Sequence, residues 1–111
     1  MLTFMLPTRS DRGYGFYRVE NELKCLQNAV GGPIEVLPLR SNLVMVIDEE
    51  GKLKNKQKNY LATKMLKEFY PNTLDYIVGN ALLVETTEED FTNLGNENYQ
   101  EIMRIFKKWG F

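Results

Sequence analysis

Five consecutive apolar residues, Leu43 to Ile47, constrain the fold of this chain more than any other feature. An unbroken apolar run of this length is typical of a β-strand that is buried on both faces. A second strand candidate, Ile34 to Leu39, precedes it, and the connection Arg40-Ser41-Asn42 has the length of a hairpin loop. Turn-forming residues, Asp48 to Gly51, follow the run. The sequence therefore predicts an antiparallel strand pair inside a small sheet.

Three segments have the apolar spacing of helices. The first carries apolar residues four, three and four apart from Val19 to Val30, and Gly31-Gly32 should end it by adopting left-handed backbone. The second begins at Asn59, a good N-cap residue, and stops at Tyr70-Pro71. The third is a C-terminal helix over about residues 96–109. Each is short enough to pack against one small sheet.

The remaining segments complete a predicted order of β-α-β-β-α-β-α-α. Leu2 to Leu6 alternates in polarity and predicts an opening strand ended by Pro7, whereas Thr8 to Arg18 reads as a loop. Tyr76 to Val84 predicts a third apolar strand, and Thr86 or Thr87 followed by acidic residues predicts a helix start. We expect one α+β domain over residues 1–111, with a small, mostly antiparallel sheet and helices packed on one face.

Composition excludes several kinds of chemistry. The 111 residues include no histidine and one cysteine, Cys25, so Ser-His-Asp, Cys-His and histidine-metal sites and an internal disulfide are excluded. No apolar segment is long enough for a membrane span or a secretory signal, so we expect a cytoplasmic protein. Fourteen basic and 15 acidic side chains give a net charge of −1, which argues against general DNA binding. We expect no enzyme activity and no cofactor.

The middle of the chain resembles a known family. The pieces that carry the resemblance are LQNAVGGPIEVLPL (Leu26 to Leu39), DEEGK (Asp48 to Lys52), Asn59 with Ala62-Thr63, and DYIVGNALLV (Asp75 to Val84) followed by EEDF. They are similar, in order and spacing, to a family of small uncharacterised domains encoded by phages, plasmids and conjugative elements. The resemblance covers roughly residues 20–94. It implies a mobile-element protein with a compact α+β fold, and the family supplies no settled activity.

Two features depart from that family. Lys56-Gln57 stands where the family usually has a Leu-Pro pair, which makes the loop more basic. The stretch from Arg9 to Arg18 is longer and richer in arginines and aromatics than the family's lead-in. We expect functions specific to this member to lie there.

The stretch from Arg9 to Arg18 is the first candidate binding site. Its guanidinium groups, those of Arg9 and Arg12 above all, can pair with phosphate oxygens while the ring of Tyr14, Phe16 or Tyr17 stacks on a base. The glycines between them let backbone N–H groups approach an anion. The alternative is that the rings anchor the loop to the core and the arginines are merely solvated.

Further basic and polar residues join this site in our prediction. Arg40 and Lys52 are assigned to phosphates, and Asn59 is added to the ligand-binding residues. Lysines also occupy positions 54, 56 and 58, and in an extended chain all four would share one face with Lys52. Such a wall would attract a nucleotide or an acidic protein surface, and the alternative is a solubilising loop.

The acidic clusters and the C-terminal aromatics are not assigned to the ligand-binding site. Asp48 to Glu50 is better explained as a turn and Glu88 to Asp90 as a helix N-terminus, so we expect no metal site. Trp109 and Phe111 place large aromatic area at the end of the sequence, which would be covered in a homo-oligomer. Packing of these rings on the protein's own sheet is the alternative.

Together these features predict a non-catalytic binder of a phosphorylated, nucleotide-like small molecule. In a phage setting, such a protein would sequester a nucleotide immune signal in the host bacterial cytoplasm. The alternative is an inhibitor that occludes a host defence or metabolic enzyme through its lysine-rich loop and exposed aromatics.

Overall fold

The computed structural model describes residues 1–8 and 13–111. In these residues the chain forms a six-stranded antiparallel sheet. The strand order is β2-β1-β5-β4-β3, and β6 pairs with β5 beyond the end of β1. The elements are β1 (Leu2–Leu6), β2 (Gly15–Arg18), α1 (Leu23–Val30), β3 (Ile34–Arg40), β4 (Leu43–Asp48), α2 (Tyr60–Phe69), β5 (Ala81–Thr86), β6 (Phe91–Thr92) and α3 (Asn96–Lys108). The predicted α+β class and antiparallel sheet are confirmed.

The strand β4 lies in the interior of the sheet, between β3 and β5. All six of its residues are buried. Leu43, Met45 and Ile47 pack on one face with α2 and α3, whereas Val44 and Val46 pack on the other with α1. The predicted placement of helices on one face therefore holds for α2 and α3, but α1 covers the opposite face. The apolar run needs both layers, because its alternate side chains point to opposite sides.

Two local predictions differ from the structure. The sequence predicts a loop over Gly15 to Arg18, but these residues form the edge strand β2, which pairs with β1. Its residues are all at least partly exposed, so the strand lacks the apolar signal of an interior one. The expected helix start at Thr86 or Thr87 is instead a tight connection between β5 and β6, in which the N–H of Thr87 donates to the carbonyl of Asp90 at 2.7 Å.

The third apolar run is also only partly a strand. Tyr76 to Asn80 is irregular apart from a bridge between Lys58 and Val78, and Gly79 has a φ of +75°. Regular pairing begins at Ala81. Gly79 turns the chain there in the left-handed conformation, which glycine adopts without steric strain.

Two predicted helix ends are confirmed. Gly31 has a φ of +89° and its N–H donates to the carbonyl of Gln27 at 2.6 Å, which terminates α1. Asn59 caps α2, because its Oδ1 accepts from the N–H of Ala62 at 2.9 Å. The Asn59 amide nitrogen also donates to the carbonyls of Leu6 at 2.8 Å and Gly79 at 2.9 Å. The side chain is fully buried, so all these bonds are made away from water.

Replacing Asn59 with alanine should destabilise the protein strongly. Asn59→Ala removes the cap of α2 and leaves two buried carbonyls unpaired, so we expect the free energy of unfolding to fall by about 3 kcal/mol. Urea denaturation followed by circular dichroism measures it. Asn72→Ala, at an exposed position, is the matched control and should change stability by less than about 0.5 kcal/mol. Equal losses in both variants would contradict the structural role of Asn59.

Candidate functional site

Aromatic rings join the start of β2 to α3. The ring of Tyr14 stacks on Phe106 with centroids 4.7 Å apart and planes 15° apart, and Phe16 stacks on Tyr99 at 5.1 Å. Phe111 meets the Tyr14 ring edge to face at 5.3 Å. Offset and edge-to-face pairs of this kind hold rings in fixed orientations. The described end of the predicted binding loop is therefore anchored, although Tyr14 remains 42% exposed.

One side of Tyr14 borders a cleft of ≈ 530 Å³, here called the aromatic cleft. Tyr60 and Leu61, at the start of α2, form its far wall, and Phe111 contributes a third ring. Lys64 brings one cation to the cleft, and its Nζ lies 4.8 Å from the centroid of the Trp109 ring. The remaining described lining residues are Pro7, Thr8 and Gly13. The cleft combines flat apolar walls with a positive charge.

A second cleft of ≈ 540 Å³, here called the amide cleft, adjoins the first and shares Pro7, Gly13 and Tyr14 with it. Asn28 of α1 and Asn80, which follows Gly79, bring carboxamide groups to its wall. The Oδ1 of Asn80 accepts from the N–H of Thr8 at 3.1 Å, which leaves its NH₂ group available for other acceptors. A smaller groove continues past Asn28 and Asn80 to Lys56.

Three of the predicted ligand-binding residues border the amide cleft, but their rings do not point to one place. Tyr14, Phe16 and Tyr17 all border it. Strand alternation turns Phe16 toward α3 and Tyr17 toward α1, so the two rings lie on opposite faces of the sheet. Arg9 and Arg12 lie outside the described residues, but their chain neighbours Thr8 and Gly13 both line the aromatic cleft.

The other three predicted residues lie elsewhere. Arg40, at the end of the opposite edge strand, donates from Nε to Asn98 at 3.2 Å and lies within 4.0 Å of Glu97 and 3.8 Å of Glu101. Lys52 pairs with Asp75. Asn59 is fully buried. None of the three lines either cleft.

The four lysines do not form one wall. Residues 49–55 form turns rather than an extended chain, and Asn55 has a φ of +58°. Lys52 and Lys58 flank the Tyr76 ring, with Nζ to centroid distances of 4.3 and 5.1 Å. Lys54 and Lys56 turn inward instead and bind a buried carboxylate. The alternation expected for an extended chain therefore does not apply.

That carboxylate belongs to Asp48, which is 3% exposed. Lys56 and Lys54 reach its Oδ2 at 2.6 and 2.9 Å, and the N–H of Glu50 donates to its Oδ1 at 2.8 Å. Burial by itself raises the pKa of Asp48, but hydrogen bonds from Lys56, Lys54 and the Glu50 N–H outweigh it and hold the pKa below its ordinary value. The carboxylate is therefore ionised at neutral pH.

The same lysines bind the C-terminal end of α1. Lys56 donates to the carbonyls of Val30 at 2.9 Å and Gly31 at 3.2 Å, and Lys54 donates to Gly31 at 3.0 Å. A side chain at Gly32 would collide with both Lys54 and Asp48. The VGG and DEEGK pieces quoted for the family resemblance thus meet in one ion-pair network. Cations at a helix C-terminus also complement its negative end.

Sequence reasoning missed much of the cleft walls. Tyr60, Lys64, Asn28 and Asn80 were not singled out. Tyr60 and Lys64 follow the Asn59 cap on α2, and Asn28 lies on an exposed position of α1, so each looks like an ordinary helix surface residue. Only Asn80, next to a left-handed glycine, carried a local signal of irregular backbone.

The C-terminal aromatics pack within the chain. Trp109 lies 5.2 Å from Phe106 between ring centroids, and its indole N–H donates to Glu68 at 3.2 Å. Phe111 joins the same cluster, yet 62% of it is exposed. The alternative of packing on the protein's own surface accounts for Trp109.

Two features are absent from the described part of the chain. Across residues 1–8 and 13–111, no group of three acidic or cysteine side chains is placed to hold a metal ion. No helix in those ranges has the length and apolar character needed to cross a membrane.

The fold and clefts define a small α+β domain built on a six-stranded antiparallel sheet, with clefts at the loops that join its layers. The chain belongs to the family described as a domain of unknown function, DUF3846, which it matches over residues 8–107. Comparisons with curated proteins and with solved structures find no match.

Because of the Asp48 network, the free energy of unfolding should decrease at acidic pH. The pKa of Asp48 is lower in the folded protein than in the unfolded chain. Its contribution to stability is therefore complete above the unfolded pKa of about 4, and it is lost as the pH falls through the folded pKa. Asp48→Asn should cost about 3 kcal/mol at pH 7, because it removes the buried partner of two lysines. It should also reduce the loss of stability that begins below about pH 5.

Urea denaturation at several pH values measures this effect. Some acid dependence should survive in Asp48→Asn, because the pKa values of Glu68, Asp75 and Glu101 are also lowered, chiefly by hydrogen bonds from Lys108, Lys52 and Arg104. Glu50→Gln is the control, since this exposed carboxylate only approaches Lys54 at 3.7 Å. An unchanged pH profile in Asp48→Asn would rule out the proposed linkage.

Proposed function

We propose that this protein binds a phosphorylated, nucleotide-like small molecule and holds it without chemical change. The carrying observation is that Thr8 and Gly13, the two ends of the segment that contains Arg9 and Arg12, border ring-walled clefts. Each cleft falls within the range of about 300–1,000 Å³ that is usual for small-molecule sites. Planar walls beside a cation-bearing segment suit a ligand with a base and a phosphate.

The rings supply the base-binding part of this proposal. Tyr60 is 77% exposed and Phe111 is 62% exposed, so both can present ring surface to a ligand in the aromatic cleft. Stacking of a base on an aromatic side chain contributes about 1–3 kcal/mol. The anchored position of Tyr14 reduces the entropy lost on binding, because its ring is already stacked on Phe106.

The cations of the proposed site are Arg9, Arg12 and Lys64. Arginine presents a fork of N–H donors that matches phosphate oxygens in pairs. Arg40 and Lys52 are less suited to this role than the sequence suggested, because each already faces carboxylates. Phosphate binding therefore rests on the segment from residue 9 to residue 12 and on the lysine in the aromatic cleft.

The carboxyl groups whose pKa is changed all have structural partners. In the part of the chain that the structure describes, the carboxyl groups with a resolved change, Asp48, Glu68, Asp75 and Glu101, all have a lowered pKa. A general acid at neutral pH needs a raised pKa. These groups are held as ion-pair partners, which is a structural role.

We further propose that the protein is encoded by a phage or another mobile element and acts in the host bacterial cytoplasm. There it would lower the concentration of a nucleotide signal made by a host defence system. Sequestration requires tight binding rather than turnover, and a nanomolar Kd corresponds to about −12 kcal/mol. The predicted homo-oligomer would add sites per particle, and its contact would have to leave free the face of Phe111 that lines the aromatic cleft.

A second candidate function is inhibition of a host enzyme by direct contact. Leu53 is 88% exposed and Leu74 is 98% exposed, and they adjoin Lys52 and Asp75, which pair with each other. These two exposed leucines, together with Lys52 and Lys58 over the Tyr76 ring, give the protein apolar and basic surface. Such patches are typical of contact sites for other proteins.

Arg12→Ala should weaken ligand binding without lowering the melting temperature. The purified protein would be incubated with cyclic and linear dinucleotides and ADP-ribose derivatives, and thermal shift and depletion of free ligand would be measured. Loss of a charge-assisted phosphate contact should reduce affinity about tenfold or more. Arg104→Ala removes an arginine that pairs with Glu101 outside the clefts and is the matched control.

Four outcomes would count against the proposal. A wild-type protein that neither shifts in melting temperature nor depletes any ligand does not have the proposed activity. Equal loss of binding and melting temperature in Arg12→Ala would favour a structural role for that residue. Conversion of the ligand after long incubation would indicate an enzyme, and recovery of a stoichiometric host protein from lysate would favour the inhibitor.

A further inference from the structure

Resting on the proposed function, we propose that the ligand is a dinucleotide, with one base in the aromatic cleft and the other in the amide cleft. The two clefts have nearly equal volumes of ≈ 530 and ≈ 540 Å³ and share Pro7, Gly13 and Tyr14. Each is large enough alone for one base with its sugar. A ligand with one base would leave one cleft empty, whereas a ligand with two would fill both across the shared residues.

The shared residues fit the phosphates of such a ligand. Gly13 has a φ of +69°, and open space surrounds the position that a side chain would occupy. Backbone at this point is therefore accessible from both clefts. Two phosphates between two bases would occupy this junction.

The clefts differ in the chemistry that they offer to a base. The aromatic cleft presents the rings of Tyr60 and Phe111, and stacking accepts any base because every base has a flat face. The amide cleft presents Asn28 and Asn80, whose donors and acceptors match the edge of a base. An asparagine amide pairs best with adenine, to which it can make two hydrogen bonds. The amide cleft is thus the specificity subsite.

Lysines lie at both outer ends of this arrangement. Lys64 lines the aromatic cleft, and Lys56 lines the groove that continues from Asn28 and Asn80. Lys56 is paired with Asp48, so Lys64 is the less neutralised of the two. The charge distribution therefore favours a ligand whose negative groups lie at the shared junction and toward the aromatic cleft.

The test compares ligands and two exposed side chains on opposite clefts. Cyclic di-AMP, cyclic di-GMP, linear pApA, ADP-ribose, AMP and GMP would be titrated by calorimetry into the wild type, Tyr60→Ala and Asn28→Ala. We expect one dinucleotide to bind at least about 100-fold more tightly than its mononucleotide, because the second base binds at high effective concentration. Each variant should lose about tenfold or more in dinucleotide affinity.

Conservative variants separate binding from folding. Tyr60→Phe keeps the ring and should retain affinity, whereas Asn28→Asp keeps the shape but replaces the NH₂ donors with a negative charge and should bind no better than Asn28→Ala. Asn28→Ala should also narrow the preference between adenine and guanine, which Tyr60→Ala should leave unchanged. Tyr76→Ala and Asn72→Ala, outside both clefts, are the controls.

The outcomes distinguish this inference from the proposed function. Equal affinity for a dinucleotide and its mononucleotide, or binding of ADP-ribose alone, would overturn the two-base inference and leave nucleotide binding intact. Dinucleotide affinity that is unchanged in either Tyr60→Ala or Asn28→Ala would also overturn it. If none of the six ligands binds the wild type, both the inference and the nucleotide form of the proposed function fail.

Discussion

The buried amide of Asn59 holds together the segments that form both clefts. It caps α2 through Ala62 and donates to the carbonyls of Leu6 and Gly79. Tyr60 follows Asn59 itself, Pro7 follows Leu6 and Asn80 follows Gly79, and each of these three residues lines a cleft. One side chain thus fixes three separate walls of the candidate site. Because its donors and acceptor are all used in a buried place, an apolar replacement cannot substitute for it.

A second polar centre, Asp48, holds the remaining wall. Its two lysine partners also bind the carbonyls at the end of α1, close to Asn28. The position of α1 therefore depends on apolar contacts of Leu26 and Val30 with the sheet and on ion pairs at its last turn. Apolar burial favours the layered arrangement in general, whereas hydrogen-bonded charges specify one position along it. The residues that resemble the family supply Asp48 and Asn59 to these two centres and Asn28 and Asn80 to the wall of the amide cleft.

How far the sequence predicts this structure depends on whether local residues decide each element. The apolar run of β4, the termination of α1 at Gly31 and the cap at Asn59 follow from local chemistry, and all three were predicted. Strand β2 was missed because an edge strand needs no buried residues, and its pairing with β1 is not local. The acidic residues after Thr87 look like a helix start, yet the pairing of β5 with β6 turns the chain there instead. The spacing of residues in the sequence does not show which of these two structures, the helix or the strand pair, is more stable.

The candidate site was predicted less well, for a reason that the lysines illustrate. Residue type indicated cations for a ligand at positions 40, 52, 54 and 56. The fold instead pairs each of them with a carboxylate that is distant in the sequence or lies across a turn. Tyr14, Phe16 and Tyr17 border one cleft because they are close in sequence and share one strand end, and their role in ligand binding stays a prediction. Residues that meet only through the fold, such as Tyr60 with Phe111 or Asn28 with Asn80, could not be found from spacing.

The pairing of these cations also limits how a ligand could be bound tightly. Arg40, Lys52, Lys54 and Lys56 already face acids, so few side chains remain to contact phosphates. Each charge-assisted hydrogen bond contributes only about 1.5–3 kcal/mol. Stacking of one base adds about 1–3 kcal/mol. Nanomolar binding needs about −12 kcal/mol after the entropy of association has been offset. A sequestering protein with this charge distribution therefore needs more than one base-sized contact, and the pair of clefts on either side of Tyr14 provides the surface for two.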